Sequence, residues 1–156
     1  MKEHHYQVKT EWTGNRGSGT LDYRAYTRDH TISAAGKSGV ISGSSDLAFR
    51  GDSKRYNPEE LFVSSLSACH MLWYLHLASV NGITVLEYVD QAEGTMAEDA
   101  AGAGRFSSVI LKPHIVIAQA NKVDRAWELH KEAGEKCFIA NSVNLELGYG
   151  GEIVVG

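Results

Sequence analysis

The sequence predicts an α+β fold, with antiparallel sheets packed around two long helices. Three observations lead there. Strand-like segments come in runs rather than alternating strictly with helices, a pattern that favours antiparallel sheet covered by helices. NPEELFVSSLSACHMLWYLHLA, residues 57 to 78, begins with helix punctuation and continues almost without charge. KVDRAWELHKEAGEKCFIANSV, residues 122 to 143, repeats apolar residues at three-four spacing. The expected order is βββ–α–ββ–α–β in one domain spanning residues 1 to 156.

YQVKTEW, residues 6 to 12, alternates and reads as a strand, followed by the glycine turn TGNRGSGT. LDYRAYTRDHTISA, residues 21 to 34, alternates again around a turn near Asp29, and residues 36 to 57 read as loop with a short strand at 47 to 50. The first helix starts clearly. Asn57 suits the N-cap, Pro58 the first helical position and Glu60 the reach-back of a capping box. It should end at Asn81-Gly82, a left-handed cap. Strands are expected over 83 to 98 and 104 to 120, and a last strand or hairpin over LELGYGGEIVV.

The chain has 156 residues, 43% hydrophobic and 22% charged, with a formal net charge of -4. This is single-domain size and composition. The charge provides no electrostatic footprint for nucleic acid or an anionic membrane. The apolar run from Leu61 to Val80 is interrupted by serines and two histidines, and reads as a core helix rather than a membrane span. The N-terminus lacks an apolar signal core, so a cytoplasmic location is expected. A helix apolar nearly all round must be covered on several sides, more than one small domain supplies, and a homodimer is expected.

The only two cysteines, Cys69 and Cys137, lie 68 positions apart. They do not form a secreted disulfide framework. Both are placed on inward helix faces, and Gly134 is expected to let another backbone approach. His70 follows Cys69 but points about 100° away, and His76 is about 10 Å further along the axis. These facts fit two buried structural cysteines as well as a reactive pair. Metal binding has little support: no CxxC, no zinc-spaced histidines and no HExxH occur. A reactive thiol needs a nearby cation, and the candidates are Arg16, Arg24, Arg28 and Arg50. Glu59 is the other charged candidate, although the helix dipole alone suffices to account for an acid in the first turn. On a straight helix it stands about 15 Å of rise from Cys69, so the two share a site only through a helix break or a second chain.

NPEEL, eight residues and then Cys69, with a distant second cysteine on a later helix, resembles the OsmC/Ohr family of thiol-dependent hydroperoxide reductases. The resemblance implies an intertwined homodimer with sites at the subunit interface. It implies that Cys69 is the peroxidatic cysteine, that Cys137 resolves it through a disulfide, and that Glu59 orients an arginine. That arginine matches Arg16 in one branch of the family and Arg50 in another. The substrate class would be organic hydroperoxides, and reduction would come from an external dithiol such as a lipoyl protein, with no metal or flavin. His70 stands where the family has phenylalanine, and CFIAN where many members have CP. The alternative is a protein of this fold without peroxidase activity, either binding a small apolar ligand or serving as a structural dimer.

Overall fold

The structure, a computed structural model, describes all residues from Met1 to Gly156, and these form two compact units, Met1–Leu61 and Phe62–Gly156. The first unit carries an antiparallel three-stranded sheet: β1 (Lys9–Trp12), β2 (His30–Ser33) and β3 (Ile41–Gly43). Trp12 pairs with His30 and Ile32 with Ile41. The alternating run from residue 21 becomes strand only at His30. Before that, Arg28 holds the loop: it donates to the carbonyls of Tyr26 (2.8 Å) and Tyr23 (2.9 Å) and sits 4.2 Å from each of their ring centres.

The expected strand at 47 to 50 is a 3₁₀ turn, Leu47–Phe49. Asp46 explains the difference, because its carboxylate accepts from the Ala48 N–H at 2.7 Å and caps the turn. Arg50 then takes φ 63, the left-handed region, and is the chain's one non-glycine residue with positive φ. Gly51 must be glycine, since a Cβ there would lie 1.5 Å from the Ser45 carbonyl oxygen.

The first long helix, α1 (Pro58–Val80), starts as its sequence dictates. Asn57 Oδ1 accepts from the Glu60 N–H at 2.8 Å, and the Glu60 carboxylate accepts from the Asn57 N–H at 3.0 Å. It ends with Gly82 at φ 65 and Ile83 N–H donating to Ala78 O at 2.9 Å, a six-to-one closure. By length and composition α1 could cross a membrane. In this fold the buried face instead runs through Leu66, His70, Tyr74, Leu77 and Ala78, the three-four repeat of a core helix.

The second unit continues with β4 (Val85–Asp90), β5 (Glu93–Glu98), β6 (Gly104–Leu111), β7 (Pro113–Ile117), α2 (Val123–Lys136), β8 (Glu146–Tyr149) and β9 (Glu152–Val155). They make two three-stranded sheets, ordered β4-β7-β9 and β5-β6-β8. The sheets are mixed rather than purely antiparallel: β4 with β7 and β5 with β6 are antiparallel, whereas β7 with β9 and β6 with β8 are parallel. The parallel pairs follow from the crossover through α2, since a long helical connection returns the chain in its original direction.

One core joins Tyr74, Leu77 and Ala78 of α1 to Ile115 and Ile117 of β7 and to Ala126, Leu129 and Ala133 of α2. The other joins Leu66 to Val109 and Leu111 of β6. Each fully buried leucine or isoleucine contributes about 1.5–3 kcal/mol. β6 and β7 are one run broken at Lys112, whose N–H donates to the Asp90 carboxylate at 2.7 Å. The second helix is shorter than the 122–143 segment that its pattern suggests. It stops at Lys136, and Cys137 leaves it with φ -67 and ψ 112.

Candidate functional site

Cys69 lies in the middle of α1 and is partly exposed; Cys137 is the first residue past α2 and is 1% exposed. Both are free thiols, and the Cys69 thiol is a hydrogen-bonding neighbour of Cys137. The spacing predicts a cysteine inside the helical stripe; the structure puts Cys137 in a turn. Its N–H donates to Gly134 O at 3.3 Å, and its sulfur accepts from the Ala140 N–H at 3.4 Å.

Burial, followed by the neighbouring Cys69 thiol, pushes the Cys137 pKa up to about 11, while the backbone N–H groups of Ala140 and Ile139 pull the other way. Cys137 is therefore a protonated thiol at neutral pH. Of the apolar residues near the two cysteines in sequence, Leu66 is buried, whereas Leu72 and Phe138 are each 63% exposed in the single chain. Trp73 and Phe138 meet nearly perpendicular, with ring centres 5.8 Å apart.

Next to Cys69 in sequence begins a second pair. His70, 1% exposed, and His130, 5% exposed, share a 3.0 Å hydrogen bond from Nε2 to Nδ1, with ring planes 4° apart. Tyr74 packs on His130 with ring centres 4.6 Å apart, and Tyr149 on His70 at 5.0 Å. The outer nitrogens, His70 Nδ1 and His130 Nε2, are buried without a partner. Burial pushes both pKa values down to about 4, helped for His70 by its neighbour His130 and opposed for His130 by Asp90. The imidazoles are neutral at pH 7.

Sequence reasoning placed His130 on the inward stripe and turned His70 away from Cys69, but did not pair them. The available signal was the spacing of His70 from Leu66 and Tyr74, four residues either side on the buried face. Gly134 admits a side chain rather than a backbone: a Cβ there would stand 2.5 Å from the Tyr149 hydroxyl. The Tyr149 hydroxyl titrates above its ordinary range, through burial and then through nearby Cys137.

The remaining candidates are in the first unit. Arg16 is exposed in the glycine turn, where Asn15 Oδ1 accepts from the N–H groups of Gly17 (2.9 Å) and Gly19 (3.0 Å). Arg24 is exposed; Arg28 is committed to its loop by two carbonyls and two ring faces. Arg50 is exposed, with its guanidinium 5.8 Å from the Tyr23 ring centre. Glu59 is half-buried in the first turn of α1. No group of three or more histidine, cysteine, aspartate or glutamate side chains is arranged to hold a metal ion.

Comparison with known proteins places this geometry. The chain is 31% identical to an OsmC-like protein of unknown function from Vibrio cholerae, with 98% of this chain and 99% of that chain covered at a TM-score of 0.83. An organic hydroperoxide resistance protein from Elizabethkingia anophelis shares the fold at 17% identity and a TM-score of 0.66, covering 99% of each chain. The uncharacterised protein YmaD of Bacillus subtilis is 23% identical across 100% of this chain and 99% of its own length. The sequence model of the family described as OsmC-like protein matches residues 51–147. With that match across more than half its length, the chain belongs to the OsmC-like family.

Proposed function

We propose that the protein is a thiol-dependent peroxidase that reduces organic hydroperoxides, with Cys69 as the attacking thiol and Cys137 as the resolving one. The observation that carries this reading is the neighbouring pair of free thiols, one partly exposed and one buried, contributed by residues 68 positions apart. Family membership supports the substrate class, since relatives of the same fold are named organic hydroperoxide resistance proteins.

In the first step the Cys69 thiolate attacks the peroxide oxygen. The O–O bond breaks, the sulfur becomes a sulfenic acid, and the alkoxide leaves and takes a proton to become an alcohol. A guanidinium beside the sulfur favours the thiolate and meets the charge developing on the leaving oxygen. Arg16 is the first choice for it and Arg50 the second. The left-handed backbone of Arg50 is the kind of strain that collects at functional sites.

In the second step Cys137 sulfur attacks Cys69 sulfur. The S–O bond breaks, an S–S bond forms, and the hydroxide leaves as water with the Cys137 thiol proton. Cys137, protonated by burial, brings that proton itself. An external dithiol, such as a lipoyl protein, then reduces the disulfide and is itself oxidised to one. No metal or flavin takes part in this scheme.

α1 runs unbroken from Pro58 to Val80, which keeps Glu59 about 15 Å of rise from Cys69. This supports a homodimer in which Glu59 of a second copy orients the arginine. The exposed Leu72 and Phe138 are the apolar surface such a partner would cover. We also infer a cytoplasmic location.

The test is stoichiometric. Reduced protein given one equivalent of cumene hydroperoxide should lose both thiols and form an intrachain Cys69–Cys137 disulfide, which a Cys69→Ser variant cannot form. Two thiols surviving excess peroxide would refute the peroxidase and favour an apolar-ligand or structural role.

A further inference from the structure

Tyr149 touches the immediate surroundings of both thiols. It ends β8 and stands opposite Leu111 of β6, which is 1% exposed. The next backbone N–H, of Gly150, donates to the Leu111 carbonyl at 2.8 Å. One residue further, Gly151 takes φ 89 and lies so close to Pro113 that a Cβ would stand 2.1 Å from its carbonyl oxygen. The side chain therefore projects from a fixed strand end.

Its ring meets α1 at His70, with ring centres 5.0 Å apart and planes 35° apart. His70 directly follows Cys69 and is 1% exposed, so this contact holds the turn of α1 that carries the thiol. Its hydroxyl meets α2 at Gly134, where a Cβ would stand 2.5 Å from the hydroxyl oxygen and 3.3 Å from Cζ. Glycine weakens a helix, and a close approach of this kind is a reason to keep it. The Gly134 carbonyl accepts the Cys137 N–H at 3.3 Å as the chain leaves the helix. The imidazole pair ties α1 to α2 at His130, seven residues before Cys137; the phenol touches α2 only three residues before it. Cys137 in turn acts on the phenol, which titrates above its ordinary range through burial and then through that thiol.

We propose that Tyr149 is a positioning residue for the thiol pair: by contact with His70 and with Gly134 it sets the segment carrying Cys69 against the turn carrying Cys137, and so favours closure of the Cys69–Cys137 disulfide. This rests on the reading that these two thiols close a disulfide. The ring holds one side of the pair and the hydroxyl the other. Small errors in the placement of reacting atoms are costly, since a shift of about 1 Å can cost on the order of a hundredfold.

The test equilibrates the full chain with buffers of reduced and oxidised glutathione and measures the ratio of closed to open protein by acid quench and mass spectrometry. Each closure forms one S–S bond in the protein, takes a proton from each thiol, and splits one glutathione disulfide into two glutathione thiols. Tyr149→Phe keeps the ring on His70 and removes the oxygen against Gly134; it should lower the ratio about tenfold. Gly134→Ala pushes the hydroxyl away and should lower it by a similar factor. The double variant should recover most of the loss, because the alanine Cβ then meets the phenylalanine Cζ at the 3.3 Å contact distance. Lost stability shared by the open and closed forms cancels in this ratio, so a purely structural role would leave it unchanged. An unchanged ratio in Tyr149→Phe would overturn the proposal, as would a double variant that loses as much as both single variants combined, or a wild type that never closes. Peroxide is absent from this test, so failure here and failure of the peroxidase reading are separate results.

Discussion

Cys69 and His70 are consecutive on α1, yet they belong to two different constructions. The thiol pair, Cys69 with Cys137, joins the middle of α1 to the turn after α2; the imidazole pair, His70 with His130, joins α1 to α2 itself. In the thiol pair, burial raises a pKa and keeps a proton on; in the imidazole pair, burial lowers two pKa values and keeps protons off. One physical cause acts in opposite directions because a thiol is charged without its proton and an imidazole with it. The first pair is the one proposed to do chemistry; the second joins α1 to α2 by a buried hydrogen bond.

The sharpest separation of the pairs is Cys69→Ser. It should lower peroxide consumption on the order of a thousandfold or more, as expected for loss of a covalent nucleophile, while urea unfolding stays near wild type. Cys137→Ser should still consume one equivalent of peroxide, but should stop at a sulfenic acid that a dimedone adduct in the mass spectrum would reveal.

Breaking the imidazole pair should do the reverse. His130→Ala leaves a cavity and strands His70 Nε2, so a loss of about 3 kcal/mol is expected in urea unfolding. The thiol loss per folded molecule should remain at two. Recovery of much of that stability in a double His70→Phe, His130→Leu variant would show that the stranded nitrogen, rather than a special role of the pair, causes the loss.

Acid should find the same weakness. Both folded-state pKa values, about 4, lie below the ordinary 6.5. Between these values the unfolded chain binds protons that the folded chain refuses. Stability should therefore fall by up to a few kcal/mol as pH drops from about 6.5 towards 4, and the two histidines should add nothing further above 6.5. A flat midpoint across that window in urea titrations would contradict the neutral buried pair. The smallest effect is expected at Gly134→Ala. Alanine gains up to about 1 kcal/mol of helix propensity, offset by displacing the Tyr149 hydroxyl. Stability should change by less than about 1 kcal/mol, while the Tyr149 ring resonances move.

Much of the framework was legible in the sequence. The start and end of α1 were fixed by Asn57, Pro58, Glu60 and Gly82, because capping is local chemistry. The thiol positions stood out because cysteine is scarce in this chain. What stayed hidden was set by distant contacts or local competition. Three-four spacing continues through Cys137, but the helix stops at Lys136. Alternation from residue 21 suggested a strand where Arg28 instead ties the loop to Tyr23 and Tyr26. The partnership of His70 with His130 spans 60 residues, and no local rule reports it.

The parallel pairing of the last two strands has a consequence for how the protein is made. β8 joins β6, and β9 joins β7, only after the whole of α2 has been laid down. Such distant pairings are the slow part of folding. Tyr149, which covers one side of the histidine pair, lies on the last of these strands but one. A nascent chain that has already produced both cysteines therefore still lacks the strands that close the second unit. Both thiols precede β8 and β9 in the chain, so they can meet each other before these strands pair.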